Sequence, residues 1–185
     1  MGAPPIVVMS GQLAAGKSTI ARAVLDRFPV GVHIDVDALR EMVTSGLASP
    51  LDWTSETTRQ FELALEAAAV LAAVYHRAGF AVGIEGAFDP IVLDRRLAEA
   101  GLRDVVVGVI LHPPLAVALA RNRGRTNKPF DPGILERAIR DIDADLTAQP
   151  VPEGWTIHDN GDETVAATTE WVLAEIAARH ASRTE

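Results

Sequence analysis

The chain has 185 residues, of which 48% are hydrophobic and 23% charged, a composition typical of a globular protein rather than of a disordered or fibrous one. Its 17 Lys and Arg residues against 25 Asp and Glu residues give a formal net charge of −8, which disfavours a broad surface for long nucleic acid or anionic lipid. The chain has no cysteine, so disulfides, thiolate metal sites and cysteine nucleophiles are excluded.

The first residues lack the charged and apolar regions of a signal peptide, and no uninterrupted apolar run approaches the ~18 residues that a membrane span needs. We therefore expect a cytoplasmic protein without a membrane partner. No repeat, low-complexity tract or long linker divides the sequence, so we expect a single domain over residues 1–185.

Segments with strand patterns alternate with segments of helical pattern along the whole chain. We predict, in chain order, a strand over 6–9, a helix over 17–28, a strand over 30–36, helices over 38–44 and 55–77, a strand over 80–84, a helix over 91–100, a strand over 105–111, helices over 114–123 and 132–146, a strand over 155–158 and a helix over 164–179. Several of these strands are continuously apolar, as expected when both faces are buried. The predicted fold class is therefore α/β, with a mainly parallel five-stranded sheet flanked by helices.

The loop between the first strand and the first helix carries the clearest motif. Residues 11–18 read GQLAAGKS, which satisfies the phosphate-loop pattern G-x-x-x-x-G-K-[ST] in the strand–loop–helix context that it requires. Lys17 is then expected to reach the β- and γ-phosphates and act in catalysis, and Ser18 to offer its hydroxyl to Mg²⁺. The predicted nucleotide contacts in this segment are Gly11, Ala14, Ala15, Gly16, Lys17, Ser18 and Thr19.

The sequence lacks the motifs that identify two other classes of phosphate-loop protein. A GTPase carries a base-reading Asn-Lys-x-Asp segment, whereas Asn127-Lys128 continues with proline and phenylalanine. A motor ATPase has adjacent acids after an apolar strand, whereas the strand over 80–84 is followed by the single Glu85 and a glycine. The sequence therefore favours a small phosphotransferase over either class.

Three segments together resemble the nucleoside-monophosphate-kinase-like group of P-loop kinases. They are the phosphate loop over 11–19, residues 33–40 around the end of the second strand, and the arginine cluster over 121–125. Within this group the chain is most similar to chloramphenicol phosphotransferases, with zeta-toxin kinases as cousins. The resemblance implies a P-loop NTPase fold, ATP and Mg²⁺ as cofactors, a small-molecule hydroxyl acceptor, and a small arginine-rich lid over about 121–135.

The resemblance also assigns residues to the acceptor side of the site. Asp37, after the second strand, matches the proposed catalytic base of the group, and Asp35 and Arg40 are expected to help hold the substrate. Glu85 resembles part of the Glu-Gly segment with which zeta-toxin kinases contact a sugar-nucleotide acceptor. Simpler interpretations stay open, because Asp37 also suits the N-cap of a helix beginning at Ala38, and Asp35 a solvated strand end.

Trp53 lies between the expected base and the long helix, where this fold places its acceptor-binding residues. It can line a pocket for an apolar acceptor, or it can pack the long helix onto the body of the protein. We expect it to contribute to substrate binding.

The predicted lid gathers Arg121, Arg123, Arg125 and Lys128 in a polar segment. Arginine groups that close over a transferring phosphate stabilise its developing charge. The resemblance puts Arg121 near the nucleotide base and Arg125 near the phosphates, where Arg125 acts in catalysis. The alternative is a solvated helix end whose arginines complement the helix dipole. Residues 158–161 follow the last strand, where related kinases wrap backbone around adenine.

The resulting hypothesis is an ATP-dependent kinase that transfers the γ-phosphate to a hydroxyl of a small molecule, with an antibiotic such as chloramphenicol as one candidate acceptor. The alternatives are a UDP-amino-sugar kinase, a nucleoside or nucleotide kinase, and a nucleotide-binding regulatory module with little catalysis. The acidic net charge argues against long nucleic acid as a partner. The sequence does not predict the oligomeric state.

Overall fold

The computed structural model describes residues 4–124 and 132–181. The strands in this part of the chain are β1 (Ile6–Gly11), β2 (Gly31–Asp35), β3 (Ala81–Glu85), β4 (Val106–Leu111) and β5 (Trp155–His158). The α-helices are α1 (Lys17–Leu25), α2 (Val36–Glu41), α3 (Ser55–Arg77), α4 (Pro90–Glu99), α5 (Leu115–Arg123), α6 (Pro132–Ala148) and α7 (Val165–Ala181). Each predicted strand and helix is confirmed within a few residues of its expected bounds. In the described ranges, no helix combines the length and the apolar character that crossing a bilayer requires.

The five strands are all parallel and lie in the order β2-β3-β1-β4-β5. The central strand β1 pairs with β3 and β4 and is buried along its whole length. A strand covered on both faces needs apolar residues at every position, which explains the continuous apolar runs in the sequence. The predicted α/β class with a five-stranded parallel sheet is thus confirmed, and the carboxyl ends of the strands lie at one edge.

Alternate residues of β1 enter two separate hydrophobic layers. Ile6 and Val8 belong to the layer formed with α3 and α4, in which α3 contributes a row of alanines that lets it approach the sheet closely. Val7 and Met9 belong to the opposite layer, with α1 and α7. Helices on both faces therefore fix the sheet, and the loops at its carboxyl edge rest on a rigid support.

Helix α2 begins before the residue that the sequence predicted, and its N-cap is a different aspartate. The helix begins at Val36, and Asp35 is its N-cap, because Oδ1 of Asp35 accepts a hydrogen bond from the Ala38 N–H at 3.1 Å. The interpretation of Asp37 as the N-cap is therefore wrong. Asp37 lies in the first turn of α2 instead, where the helix dipole favours a negative charge.

The packing of the edge strand β5 depends on a glycine in β4. Gly108 lies against the ring of Trp155, and a Cβ at position 108 would collide with that ring. The ring is held in place by the hydrogen bond that Trp155 Nε1 donates to Asp94 Oδ1 at 3.1 Å. The ring therefore has little freedom to move away from a new side chain.

Gly108→Ala is expected to lower the free energy of unfolding by about 1–3 kcal/mol, the usual cost of overpacking a core. Gly124→Ala is the matched control, because a Cβ at position 124 meets carbonyl oxygens at 3.7 Å, an ordinary contact distance. Urea unfolding followed by far-UV circular dichroism measures both variants. Equal stability of the two variants would contradict the assigned packing of β5.

Candidate active site

The carboxyl edge of the sheet brings together three segments that the sequence analysis singled out. β1 leads into the phosphate loop, β2 ends at Asp35, and β3 ends at Glu85. The strand register places Asp35 opposite Glu85, and Glu85 opposite Met9, two residues before Gly11. The parallel sheet thus delivers two carboxylates and the phosphate loop to the same place, as open α/β sheets do at their binding sites.

The phosphate loop is curled by residues in the left-handed backbone region. Gly11 has φ 118°, Gly16 has φ 90°, and Ala14 adopts φ 61° in spite of its side chain. A Cβ at Gly11 would collide with the backbone of Leu111, so the loop runs tightly along the end of β4. Gly16 is the N-cap of α1 and has no side chain to cap the first turn, which suits this helix end to an anion.

Two buried amide side chains hold the loop in this shape. Gln12 Nε2 donates to the carbonyl of Ile139 in α6 at 3.0 Å, and Gln12 Oε1 accepts from the Leu13 N–H at 2.8 Å. Asn160, which follows β5, donates through Nδ2 to the Ala15 carbonyl at 2.8 Å. Sequence analysis missed both roles, since the partners lie 127 and 145 residues away along the chain.

Lys17 lies within the loop with 8% of its surface exposed. Its Nζ donates to the carbonyl of Gly11 at 3.1 Å and to the carbonyl of Gln12 at 2.8 Å. Its positive charge also acts to lower the pKa values of Asp37 and Glu85. The ammonium group thus binds the loop carbonyls and also acts electrostatically on these two carboxylates.

Glu85 connects the end of β3 to the first turn of α1. Ser18 Oγ donates to Glu85 Oε1 at 2.7 Å, and His33 Nε2 lies 3.5 Å from the same oxygen. Burial acts to raise the pKa of Glu85, which is 4% exposed, but the contacts from His33 and Ser18 and the charge of Lys17 hold it below 4.5. Glu85 therefore stays ionised near neutral pH, and His33 is a neighbour that sequence analysis missed.

Asp37 is half-buried, and its pKa is raised above the ordinary value of 3.8. Burial is the largest cause, and the negative charges of Asp35 and Glu85 add to it, while Lys17 and Arg40 act in the opposite direction. A carboxylate with a raised pKa binds a proton more readily, which a general base requires. Asp37 is therefore better suited than Glu85 to accept a proton in this site.

Arg40 and Trp53 meet through the ring of Phe61. The Arg40 guanidinium is buried; its Nη1 donates to the Ala48 carbonyl at 2.8 Å, and its central carbon lies 4.8 Å from the centre of the Phe61 ring. Trp53 stacks on the same ring at 5.1 Å and remains 61% exposed. Trp53 therefore both packs against α3 and offers surface for a ligand. The substrate contacts of these two residues stay predictions.

Arg121 links the phosphate loop to the segment after β5. Its Nη2 donates to the carbonyl of Asn160 at 2.9 Å and to that of Gly161 at 3.1 Å. Because Asn160 also binds Ala15, these residues form one network with the phosphate loop. The network contains the segment over 158–161 that the sequence analysis placed around the nucleotide base.

The structure describes the predicted lid only in part. Arg123 pairs with Glu136 at 2.7 Å, which connects the end of α5 to α6. Arg125 and Lys128, which the sequence analysis placed in the lid, lie outside the described residues. The role of Arg125 at the phosphates therefore stays a prediction.

Oxygen ligands for a divalent cation are present beside the loop. Ser18, Asp37 and Glu85 provide hydroxyl and carboxylate oxygens, the ligand type that Mg²⁺ prefers. Across 4–124 and 132–181, no group of three or more His, Asp or Glu side chains forms a metal cage. The arrangement fits Mg²⁺, which usually keeps several waters and binds with phosphates through one or two protein oxygens.

Solved structures share this fold over nearly the whole chain. A sugar kinase from Janibacter sp. HTCC2649 aligns with a TM-score of 0.69 and 20% identity, over 94% of this chain and 95% of its own. The tunicamycin resistance protein of Deinococcus radiodurans aligns with a TM-score of 0.65 and 20% identity, also over 94% and 95%. The shikimate kinase of Acinetobacter baumannii aligns with a TM-score of 0.61 and 19% identity, over 95% and 94%. At these identities the likeness shows the fold alone, which is that of P-loop kinases.

No curated protein matches the sequence significantly. A family model described as zeta toxin matches residues 1–165, a range that includes the phosphate loop, every strand of the sheet and the strand-end carboxylates. The closer likeness to chloramphenicol phosphotransferases stays a prediction, whereas the predicted kinship with zeta toxins is confirmed. The chain belongs to the zeta toxin family.

Proposed function

We propose that the protein is a kinase that uses Mg·ATP to phosphorylate a hydroxyl group of a small molecule. The observation that carries the proposal is a carboxylate with a raised pKa, Asp37, close to Lys17 of the phosphate loop and to the Ser18–Glu85 pair. Phosphoryl transfer needs a phosphate cradle, a metal ligand and a group that receives the proton of the acceptor. Family membership and the fold shared with a sugar kinase and a shikimate kinase support it.

The phosphate loop is the proposed ATP site. The N-terminus of α1 and the loop amides suit the phosphate chain, and Lys17 exchanges its two carbonyl contacts for phosphate oxygens. Ser18 would hold Mg²⁺ through its hydroxyl oxygen, and Glu85 would hold the water shell of that ion. Bound Mg²⁺ supplies neutralisation of the charge that develops on the phosphates.

On the acceptor side, Asp37 orients the hydroxyl group. The hydroxyl oxygen bonds to the γ-phosphorus, the bond between that phosphorus and the β–γ bridging oxygen breaks, and ADP leaves. The hydroxyl proton passes to the Asp37 carboxylate, for which its raised pKa is an advantage. Asp35 contributes by capping the helix that carries Asp37.

The arginines act on the donor side of the same reaction. Arg121 binds the carbonyls of residues 160 and 161, which supports its predicted place near the nucleotide base. Arg125 is proposed to reach the phosphates, where a guanidinium group offsets the charge of the transferring phosphoryl group.

The zeta toxin family match favours a UDP-amino sugar as a second candidate acceptor within the same reaction class. Zeta-toxin kinases, which this chain resembles in its Glu-Gly segment at Glu85, act on a sugar nucleotide. The proposal of an antibiotic acceptor such as chloramphenicol is based on the resemblance of the segment over 33–40 to chloramphenicol phosphotransferases.

Asp37→Asn is expected to lower kcat about 10²–10⁴-fold, the usual contribution of a positioned general base, with ATP affinity nearly unchanged. Lys17→Ala should weaken both ATP binding and phosphoryl transfer, because the lysine charge acts on the phosphates in the bound ground state and in the transition state. ADP release from Mg·ATP is measured across a panel of antibiotics, nucleosides, sugars and UDP-amino sugars, and ATP affinity is measured by calorimetry.

Asp104→Asn is the matched control for these variants, because Asp104 is exposed and precedes β4 at the opposite edge of the sheet. Near-wild-type turnover of Asp37→Asn would show that the assigned base is wrong. ATP binding without acceptor-dependent ADP release would favour a nucleotide-binding regulatory module over a kinase.

The pH profile offers a second test of Asp37. Its carboxyl must be ionised to accept a proton, so kcat/KM should fall as the pH drops through its pKa, which lies above 3.8. Asp35→Asn removes a charge that raises this pKa, but it keeps a side chain able to cap α2. The acidic limb of the profile is therefore expected at lower pH in Asp35→Asn than in the wild type. An unchanged limb would mean that another group controls it.

A further inference from the structure

The outer face of α3 carries an apolar stripe that stays open to solvent. Leu63, Val70 and Val74 are 50%, 58% and 48% exposed, and Ala67 is exposed between them. Their spacing of four, three and four residues puts the side chains in one line along the helix. These four residues form the α3 stripe. Adjoining apolar side chains that remain half-exposed are typical of an interaction surface.

The core of the protein uses the opposite face of α3. Ala64, Ala68 and Ala72 lie on that face and are buried in the hydrophobic layer between α3 and the sheet. A surface helix that packs on one side only is expected to be polar on the other side. The α3 stripe therefore adds apolar surface that the packing of this chain does not use.

One charged residue of each sign continues the α3 stripe at its two ends. Glu56 lies in the first turn of α3, seven residues before Leu63, and Arg77 is the last residue of the helix, three residues after Val74. Both are exposed, and the rise of an α-helix separates them by about 30 Å. Glu56 pairs with Arg59 at 2.8 Å, whereas Arg77 forms no ion pair with any residue of 4–124 or 132–181.

This surface complements itself when a second copy is turned end to end. Two α3 helices that run antiparallel about a two-fold axis near Ala67 bring Leu63 of each copy against Val70 and Val74 of the other. The same arrangement brings Arg77 of each copy to the level of Glu56 of the other, so every contact forms twice. The small side chain of Ala67 at the axis lets the two helices approach to the usual 8–10 Å.

The flanks of the α3 stripe are compatible with this contact. Glu66 lies beside Ala67 near the proposed axis, and its carboxylate is 3.9 Å from Arg96 of α4, which offsets its charge. On the other flank, Gln60 is buried and holds the backbone of Gly46 and Ala48 at 2.8 and 3.0 Å. Leu47, between these two residues, is 43% exposed and widens the apolar surface.

We propose that the α3 stripe binds a second copy of this chain and forms an antiparallel two-fold dimer. A contact through one helix of each copy is smaller than the ~800 Å² per partner of a stable complex. The dimer is therefore reversible, with an expected Kd of about 10–100 μM. The proposal does not depend on the kinase reaction, because none of the four residues belongs to the candidate active site.

Sedimentation velocity of the full chain between about 1 and 300 μM tests the dimer over the expected range of Kd. Val70→Glu places a charge in the middle of the contact and is expected to raise Kd more than tenfold. Val165→Glu is the matched control, because Val165 is a 47% exposed valine at the start of α7, in the opposite layer. Far-UV circular dichroism shows whether both variants keep the wild-type fold.

The wild type should sediment as a monomer at the lowest concentration and mainly as a dimer at the highest, and Val165→Glu should behave in the same way. A wild type that stays monomeric throughout would overturn the proposal. A dimer that Val70→Glu leaves unchanged would also overturn it, because the contact would then lie on another face.

Charge exchange at the ends of the stripe tests the antiparallel orientation. Glu56→Lys and Arg77→Glu each put like charges together at both ends of the dimer, and each is expected to raise Kd about threefold to tenfold. In an equimolar mixture of the two variants, the new lysine faces the new glutamate, and the unchanged Arg77 faces the unchanged Glu56. The mixture should therefore contain more dimer than either variant alone at the same total concentration.

The mixture also controls for the pair between Glu56 and Arg59, which Glu56→Lys removes whether or not the other variant is present. A mixture with no more dimer than the separate variants would contradict the antiparallel contact, since a parallel contact would set each position 56 against its own counterpart.

Discussion

The hydrogen bond from Ser18 to Glu85 is the contact on which the arrangement of the site depends. It joins the phosphate loop, carried by β1, to the carboxyl end of β3 at 2.7 Å. It forms because the parallel register sets Glu85 opposite Met9 on one side and Asp35 on the other. A shift of one residue between β1 and β3 would turn Glu85 to the other face of the sheet, and a shift of one residue in β2 would do the same to Asp35. The sheet register therefore decides whether a metal ligand, an ionised carboxylate and a proton acceptor can meet.

The phosphate loop is held from several directions besides its own strand and helix. Gln12 connects it to α6, and Asn160 connects it to the segment after β5, which Arg121 also binds. Hydrogen bonds from buried amides are costly to disrupt, because a lost partner leaves a buried polar group without a hydrogen bond. The positions of α6 and of the segment after β5 are therefore coupled to that of the phosphate loop through hydrogen bonds.

The fold could be predicted from the sequence because its signals are local. Continuous apolar strands such as β1 and the GQLAAGKS motif identify a parallel sheet with a phosphate loop. Details that depend on tertiary contacts could not be predicted. Asp35 and Asp37 are both suitable N-cap residues for α2, and only the backbone conformation shows that Asp35 is the N-cap. The packing of Arg40 against Phe61 and the Ala48 carbonyl also depends on tertiary contacts. The cavity between α3 and the start of α4 combines residues from 53 to 92 and has no local sequence pattern.

The most direct test of the central claim is ³¹P NMR of the protein with Mg·ATP and the panel of hydroxyl compounds. The account predicts a new phosphomonoester resonance for at least one acceptor, formed in equal amount with ADP and absent without that acceptor. Release of inorganic phosphate at the same rate with and without every acceptor would contradict it, because the site would then be transferring the phosphoryl group to water instead of to a bound hydroxyl.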